Sequence, residues 1–241
     1  MLVKEWMTED PIVLDENASI MKAVQVMKEH GMRRIPVVRN GKLVGIVTDR
    51  DVREATPSKA TALDVHELYY LLSEIKLKDI MTPNPIAIHP DETVEYAAVI
   101  MLENRISGLP VVDEENHVIG IITQTDIFKV LINITGIYYG PWQIAFEMDT
   151  QPGTISELVK EIRERGGRII SVLTSYEGME PEKRRVYVRL AEMSEEAFQK
   201  LLSELKEKFN VLYWVKDDLS RIPRKGEATK NPEAVEALLK I

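Results

Sequence analysis

In this chain of 241 residues, two short apolar runs that begin with glycine each lead into a hydroxyl and a carboxylate three residues apart. The pairs are Thr48 and Asp51 in the stretch GIVTDRD, and Thr123 and Asp126 in the stretch GIITQTD. Each pair follows an apolar run typical of a β-strand, which places both side chains in the first turn of a helix. A threonine or an aspartate can cap a helix there, and the same groups can also bind a polar ligand. The two interpretations are compatible, and both stay open.

Both motifs belong to an internal repeat that aligns residues 4–52 with residues 78–127. The offset is 74 residues through the runs IPVV and LPVV, and it becomes 75 at Gly45 and Gly120 because the second copy has a longer turn. Each copy predicts a β-α-β-β-α order: a short strand (12–14 or 86–88), an amphipathic helix, a two-stranded hairpin and a final helix. One copy is about half the size of a stable domain, so we expect the two copies to bury each other's apolar faces.

Two copies of h-P-V-V and G-h-h-T-x-x-D (h is an apolar residue), each preceded by M-T-x-x-P, resemble a CBS-domain pair, also called a Bateman module. The resemblance covers roughly residues 1–135. It implies a disc-like pseudo-dimer with two clefts. Such clefts typically bind adenosine-containing ligands such as AMP, ADP, ATP or S-adenosylmethionine.

The resemblance also implies which residues would contact the nucleotide. A carboxylate can accept hydrogen bonds from two neighbouring ribose hydroxyls, the backbone of the first strand would pair with the adenine edge, and the two prolines of the hairpins would form apolar walls. A helix that begins at T-x-x-D adds N–H donors for a phosphate. The predicted nucleotide-binding residues are Ile12, Val13, Arg33, Arg34, Pro36, Thr48, Arg50, Asp51, Ile86, Ala87, Ser107, Pro110, Thr123, Thr125 and Asp126.

The two copies differ at the positions that could hold a phosphate. Copy one has Arg33, Arg34 and Arg50, and the matching residues of copy two are Ser107, Gly108 and Thr125. We therefore predict that the two clefts are not equivalent. A phosphate-bearing ligand is expected to prefer the cleft that receives Arg33 and Arg34.

From Tyr139 onwards the pattern predicts β-α-β-β-α-β, which is the ferredoxin-like order. With a turn at Asp149, Pro152 and Gly153, residues 139–217 resemble an ACT domain, a regulatory module that often binds an amino acid near that turn. The family turn is usually one residue shorter. A glycine there also has a second interpretation, as a turn residue with no ligand.

The whole chain is predicted to be α+β, with a CBS pair followed by an ACT-like domain. With VHELYYLL in the connecting helix, it is similar to the AcuB-type acetoin-utilisation family. The predicted segments are CBS domain 1 (1–56), a connecting helix (57–76), CBS domain 2 (77–138), the ACT-like domain (139–217) and a C-terminal tail (218–241).

Composition restricts the classes of partner. The formal net charge is −8, from 39 acidic and 31 basic residues, so we expect no nucleic-acid partner. No apolar run approaches the ~20 residues that cross a bilayer, so no membrane partner is expected. The absence of cysteine and of an apolar leader at the N-terminus predicts a cytoplasmic protein.

No catalytic constellation is visible in the sequence, so an enzyme is not expected. The histidines are scattered without metal spacing, and the chain has neither a P-loop nor G-x-G-x-x-G. We therefore expect no metal and no catalytic cofactor. The predicted function is that of a regulator, a homodimer that senses adenine nucleotide or S-adenosylmethionine and signals to an unidentified protein. A structural dimerisation protein with empty clefts is the alternative, and an enzyme hidden in the ACT-like cleft is a third.

Overall fold

The computed structural model describes residues 1–56, 70 and 72–223. The chain divides into two compact units, Met1–Val130 and Leu131–Ile241. Most of the predicted connecting helix, and the predicted tail from residue 224 on, lie outside the described residues.

The first repeat copy contains two helices and four strands. They are β1 (Thr8–Glu9), β2 (Leu14–Asp15), α1 (Ile20–His30), β3 (Arg34–Arg39), β4 (Lys42–Thr48) and α2 (Asp49–Ala55). The turn between β3 and β4 is Asn40-Gly41, as the repeat predicts for a hairpin, and both residues have positive φ.

The second copy repeats this arrangement. It contains α3 (Leu77–Ile80), β5 (Thr82–Pro83), α4 (Val94–Glu103), β6 (Gly108–Val112), β7 (Val118–Thr123) and α5 (Gln124–Thr135). In place of a full first strand it has a single parallel bridge between Ile88 and Val111.

The predicted strands over 12–14 and 86–88 are wrong in extent, and proline explains the difference. In the second copy the Ile88 amide donates to the Pro110 carbonyl and the Val112 amide donates to the Ile88 carbonyl, both at 3.0 Å. The next bond of this parallel ladder would run from the amide of residue 110 to the carbonyl of Ile86. Pro110 has no N–H, so the ladder stops there.

Each copy begins with its M-T-x-x-P segment, called here the leader of that copy. The two leaders are exchanged, so that each pairs with a strand of the other copy. Strand β1 of the first copy pairs with β7 of the second, with Thr8 opposite Ile121. Strand β5 of the second copy pairs with β4 of the first, with Thr82 opposite Ile46. The sheets are therefore β1-β7-β6 and β2-β3-β4-β5, and each contains a strand from the other copy.

This exchange explains the glycine of each G-h-h-T-x-x-D motif. A Cβ added to Gly45 would overlap the thioether of Met81, and a Cβ added to Gly120 would overlap that of Met7. The methionine of each M-T leader thus lies directly on the glycine of the other copy. We conclude that Met and Gly recur at these positions because they form one contact between the copies.

The Gly45→Ala substitution is expected to lower the free energy of unfolding by about 1–3 kcal/mol, because the new methyl group overpacks the Met81 contact. Urea unfolding measures this loss. The double variant with Met81→Ala should cost clearly less than the sum of the two single variants. Additive losses would show that the overlap has been relieved elsewhere.

The C-terminal unit has the β-α-β-β-α-β order that its sequence predicts. Its elements are β8 (Trp142–Asp149), α6 (Thr154–Glu164), β9 (Ile169–Ser175), β10 (Lys183–Leu190), α7 (Glu195–Lys208) and β11 (Asn210–Lys216). The sheet order is β11-β8-β10-β9 with antiparallel neighbours. This is the ferredoxin-like arrangement, while membership of the ACT family stays a prediction.

The core of the C-terminal unit is built on one aromatic stack. Trp142 is fully buried, and its ring lies 3.8 Å from that of Phe198, centroid to centroid, at an interplanar angle of 12°. Leu158 and Ile162 of α6 and Leu205 of α7 belong to the same cluster.

Within the described residues, no helix combines the length and apolar character needed to span a bilayer.

Candidate ligand-binding site

Two clefts open on the N-terminal unit, and each is lined by both copies of the repeat. The first, called here the Thr48 cleft, has a volume of about 560 Å³. Its lining includes Arg33, Arg34, Thr48 and Arg50 from copy one, and Ile86, Arg105, Ser107 and Pro110 from copy two. The volume lies in the range of about 300–1,000 Å³ that small-molecule sites occupy.

The second, called here the Thr123 cleft, has a volume of about 880 Å³. Its lining includes Ile12, Arg33, Arg34 and Pro36 from copy one, and Ser107, Thr123, Thr125, Asp126 and Lys129 from copy two. Each cleft therefore combines the T-x-x-D end of one copy with the proline and the leader of the other. The exchange of β1 and β5 brings these segments together.

Most of the predicted nucleotide-binding residues line a cleft, and three do not. Val13 and Ala87 are half-buried and lie next to the lining residues Ile12 and Ile86. Asp51 is half-buried beneath Thr48, and it is not among the described residues that line the Thr48 cleft. Asp126, its counterpart in the repeat, does line the Thr123 cleft.

Both T-x-x-D pairs form helix caps. The Thr48 amide and hydroxyl each donate to Asp51 Oδ2 at 2.7 Å, and the Asp51 amide donates to the Thr48 hydroxyl at 3.4 Å. The Thr123 amide and hydroxyl donate to Asp126 Oδ2 at 3.0 and 2.7 Å. The first copy therefore shows a complete capping box, and the second copy shows the half in which the carboxylate accepts from the threonine.

The two carboxylates differ in which oxygen is left to accept a hydrogen bond from a ligand. Asp126 Oδ1 accepts a bond of 2.8 Å from the Lys129 ammonium, and the residue is only 5% exposed. In Asp51 the bonds from Thr48 both go to Oδ2, and no donor among the described residues contacts Oδ1. Lys129 was missed in the sequence, although its position three residues after Asp126 on a helix favours this pairing.

The interrupted ladder presents backbone acceptors at the clefts. In the first copy the Glu16 amide donates to the Val38 carbonyl at 3.0 Å, so the corresponding bond from residue 36 would reach the Ile12 carbonyl. Pro36 cannot donate it. The carbonyls of Ile12 and Ile86 thus receive no ladder bond from the prolines, and both residues line a cleft.

The arginine pair lies between the clefts. Arg33 and Arg34 line both of them. The sequence predicted that a phosphate prefers the cleft that receives this pair. Because both clefts receive it, the pair alone does not identify the preferred cleft. The Arg34 guanidinium donates to the Ser107 carbonyl at 2.6 Å and to the Ser107 hydroxyl at 2.5 Å. Burial lowers the pKa of Arg34, and the group stays charged because arginine ordinarily titrates far above neutral pH.

Other charges distinguish the clefts. The Thr48 cleft adds Arg50, Arg105 and Asp49; Arg50 forms an exposed pair with Glu54, and Asp49 forms one with Arg53. The Thr123 cleft adds Lys129, which is neutralised by Asp126, and Asp10. The Thr48 cleft is therefore the more positive of the two.

The three residues of the ACT-like turn are occupied with local structure. Asp149 ends β8 and pairs with the Lys183 ammonium at 2.7 Å, a bond that raises the pKa of Lys183. Pro152 is exposed. Gly153 has φ of 95° and precedes the first residue of α6, a left-handed conformation that favours glycine. This geometry explains why residue 153 is glycine.

Among the described residues, no group of three or more His, Asp or Glu side chains is placed to hold a metal ion. The two clefts of the N-terminal unit are the candidate functional site because each brings a T-x-x-D segment of one copy together with residues of the other.

Comparison with known proteins gives the same division of the chain. A family model described as CBS domain matches residues 3–58 and 77–133. A CBS domain-containing protein of Dictyostelium discoideum is 33% identical over 135 residues, which are 56% of this chain and 93% of that protein. The L-aspartate semialdehyde sulfurtransferase of Methanocaldococcus jannaschii is 35% identical over 130 residues, which are 54% of this chain and 23% of the enzyme. The similarity thus spans about a quarter of that enzyme's length.

Solved structures resemble the same half of the chain. One is the CBS domain pair of protein MJ0100 in complex with 5′-methylthioadenosine and S-adenosyl-L-methionine, with 34% identity, a TM-score of 0.46, and coverage of 55% of this chain and 97% of that one. Another is a Vibrio cholerae protein named for acetoin utilization (AcuB), with 28% identity, a TM-score of 0.48, and coverage of 57% and 95%.

Proposed function

The chain belongs to the CBS domain proteins, and on this premise we propose that it is a non-catalytic regulatory protein whose two clefts sense adenosine-containing ligands. AMP, ADP, ATP and S-adenosylmethionine are the proposed ligand class. The tandem CBS pair predicted from the repeat is confirmed by the family match at both copies.

The observation that carries this proposal is the interruption of each parallel ladder at a proline. It leaves the Ile12 and Ile86 carbonyls without their strand partner, and each of these residues lines a cleft together with the proline of its own copy. An adenine ring presents a flat apolar face and a donor at its amino edge. Such a ring can lie against the proline and donate to this carbonyl, which supplies the bond that the proline cannot give.

Positive charge supports a phosphate-bearing ligand in the Thr48 cleft. Arg34, Arg50 and Arg105 line it, and guanidinium groups bind phosphate with two parallel hydrogen bonds. The Thr123 cleft has Asp126 and Asp10 in its lining and is proposed to favour an adenosine derivative with fewer phosphates. We propose that the clefts are unequal for this reason.

The remaining steps of the function rest on the chain as a whole. We propose that it acts as a homodimer, that ligand binding alters its contact with a regulated protein, and that the ferredoxin-like unit is an ACT domain with an amino-acid site at its turn. Two ligand modules in one chain supply the two sites that thermodynamic linkage between ligands requires.

One observation favours the alternative of a structural protein with empty clefts. Both T-x-x-D carboxylates accept bonds within their caps, so one oxygen of each already has a structural role. Isothermal titration calorimetry with AMP, ATP, S-adenosylmethionine and, as a control, GMP separates the two functions. Adenosine ligands should bind and GMP should not. Absence of heat from all of the adenosine ligands would reject the sensor and favour the structural protein.

A further inference from the structure

Arg34 occupies a position that only one of the two copies can fill. Its guanidinium reaches across to the second copy and binds Ser107 through both the carbonyl and the hydroxyl, at 2.6 and 2.5 Å. A Cβ added to Gly108 would overlap Arg34 Nη1. The side chain therefore requires the empty space above a glycine.

The repeat shows which residue of copy one corresponds to this glycine. With the offset of 74 residues, Gly108 is the counterpart of Arg34, and Ser107 is the counterpart of Arg33. If copy two repeated copy one faithfully, two arginine pairs would meet where the copies meet. Overlap of a side chain at residue 108 with the present position of the Arg34 guanidinium, and repulsion between like charges, disfavour that arrangement. One arginine therefore stands where the symmetry of the repeat would place two.

Arg34 faces both clefts. Across the part of the chain that the structure describes, Arg33, Arg34 and Ser107 are the only residues that line the Thr48 cleft and the Thr123 cleft together. A guanidinium has five N–H donors in one plane, and the bonds to Ser107 use two of them. The remaining donors form one fork, which can bind one phosphate with two parallel bonds.

Ser107 connects the position of the Arg34 guanidinium to the Thr123 cleft. Its carbonyl accepts the Arg34 bond and also the amide of Gln124, the first residue of α5, at 3.2 Å. That helix carries Thr125 and Asp126 of the Thr123 cleft. If a phosphate in one cleft moves the Arg34 guanidinium, the Ser107 carbonyl loses one of its two donors. That carbonyl also holds the start of α5, which carries residues of the Thr123 cleft.

We propose that Arg34 is shared by the two clefts, so that a phosphate-bearing ligand bound in one cleft weakens binding of a second such ligand in the other. This inference rests on the proposed function, since it specifies how the two nucleotide sites regulate each other. Loss of a charge-assisted bidentate contact is expected to make the second AMP bind about ten- to a hundredfold more weakly than the first. Adenosine, which has no phosphate, should fill both clefts without this coupling.

The test compares AMP and adenosine by isothermal titration calorimetry on the full chain and on the Arg34→Ala variant. Sharing predicts that Arg34→Ala weakens the first AMP step about ten- to a hundredfold and leaves the second step unchanged, so the ratio of the two steps falls to the part that Arg50 and Arg105 cause. Arg105→Ala is the matched control because Arg105 lines only the Thr48 cleft within the described residues. The two variants are distinguished where Pro110→Val weakens binding in the Thr48 cleft: there Arg34→Ala should weaken AMP binding in the Thr123 cleft, and Arg105→Ala should not.

Each other outcome is decisive. If AMP and adenosine both fail to bind, the proposed function fails. If AMP fills two sites whose ratio is the same with Arg34 and without it, sharing is wrong and the proposed function stands. A melting curve checks that Arg34→Ala folds, and Gly108→Ala, which displaces the guanidinium without removing it, provides a second variant in which the ratio should also fall.

Discussion

Replacing Pro110 by valine is expected to weaken binding of AMP in the Thr48 cleft by about tenfold or more. Valine supplies the N–H that the proline lacks, and the register of the ladder directs it to the Ile86 carbonyl, since the Ile88 amide already donates to residue 110. The acceptor proposed for the adenine amino group is then occupied. The apolar wall keeps a similar size, so the new strand bond is the principal change.

Pro36→Val is the matched variant of the other copy, since Pro36 and Ile12 line the Thr123 cleft. Each variant should remove one of two binding steps in a calorimetric titration with AMP, and the double variant should remove both. Full retention of both steps in the double variant would show that the interrupted ladder has no part in binding. Neither variant is expected to lower stability much, because each adds a backbone hydrogen bond to an existing ladder.

Replacing Trp142 by alanine is expected to lower the free energy of unfolding of the C-terminal unit by about 3–5 kcal/mol. Trp142 is fully buried, stacks on Phe198 and lies under the Lys216 ammonium, 4.6 Å from the ring centroid. Alanine leaves a cavity in the centre of this cluster and removes the stacking partner of Phe198. The loss is a large fraction of the roughly 5–15 kcal/mol that stabilise a typical domain.

Trp142→Phe is the matched control for this experiment. It keeps an aromatic ring against Phe198 and removes an indole N–H that has no hydrogen-bond partner among the described residues. Its cost should be well below that of alanine. Urea unfolding followed by circular dichroism measures both, and AMP added during unfolding identifies the transition of the N-terminal unit, because a ligand stabilises the unit that binds it. Equal costs for the two variants would show that the stack contributes little.

Local pattern was sufficient for much of the fold. The turn at Asn40-Gly41, the amphipathic helices and the β-α-β-β-α-β order of the C-terminal unit depend on periodicity and turn residues within short stretches. The T-x-x-D pairs were correctly placed at helix starts for the same reason. The first strand of each copy was overestimated because its partner strand contains a proline that ends the ladder.

The clefts depended on contacts that no short stretch encodes. The sequence suggested a phosphate site near Arg33 and Arg34, yet it could not show that this pair faces both clefts or that Gly108 leaves room for Arg34. It also could not show that Asp126 faces a cleft while Asp51 lies beneath Thr48. These differences arise from packing between copies about 74 residues apart.

By itself, then, the sequence determined that the N-terminal part contains two similar copies. It also determined which elements each copy contains and to which family of proteins the copies are related. These properties follow from residue order, since helix and strand periodicities and the repeated motifs are local. Only the tertiary structure decided that β1 and β5 are exchanged between the copies, that each cleft is therefore built from both copies, and that the pair Arg33 and Arg34 lines both clefts. Strand pairing and steric room at one glycine are collective properties of the packed unit, and they break a symmetry that the repeat alone would lead one to expect.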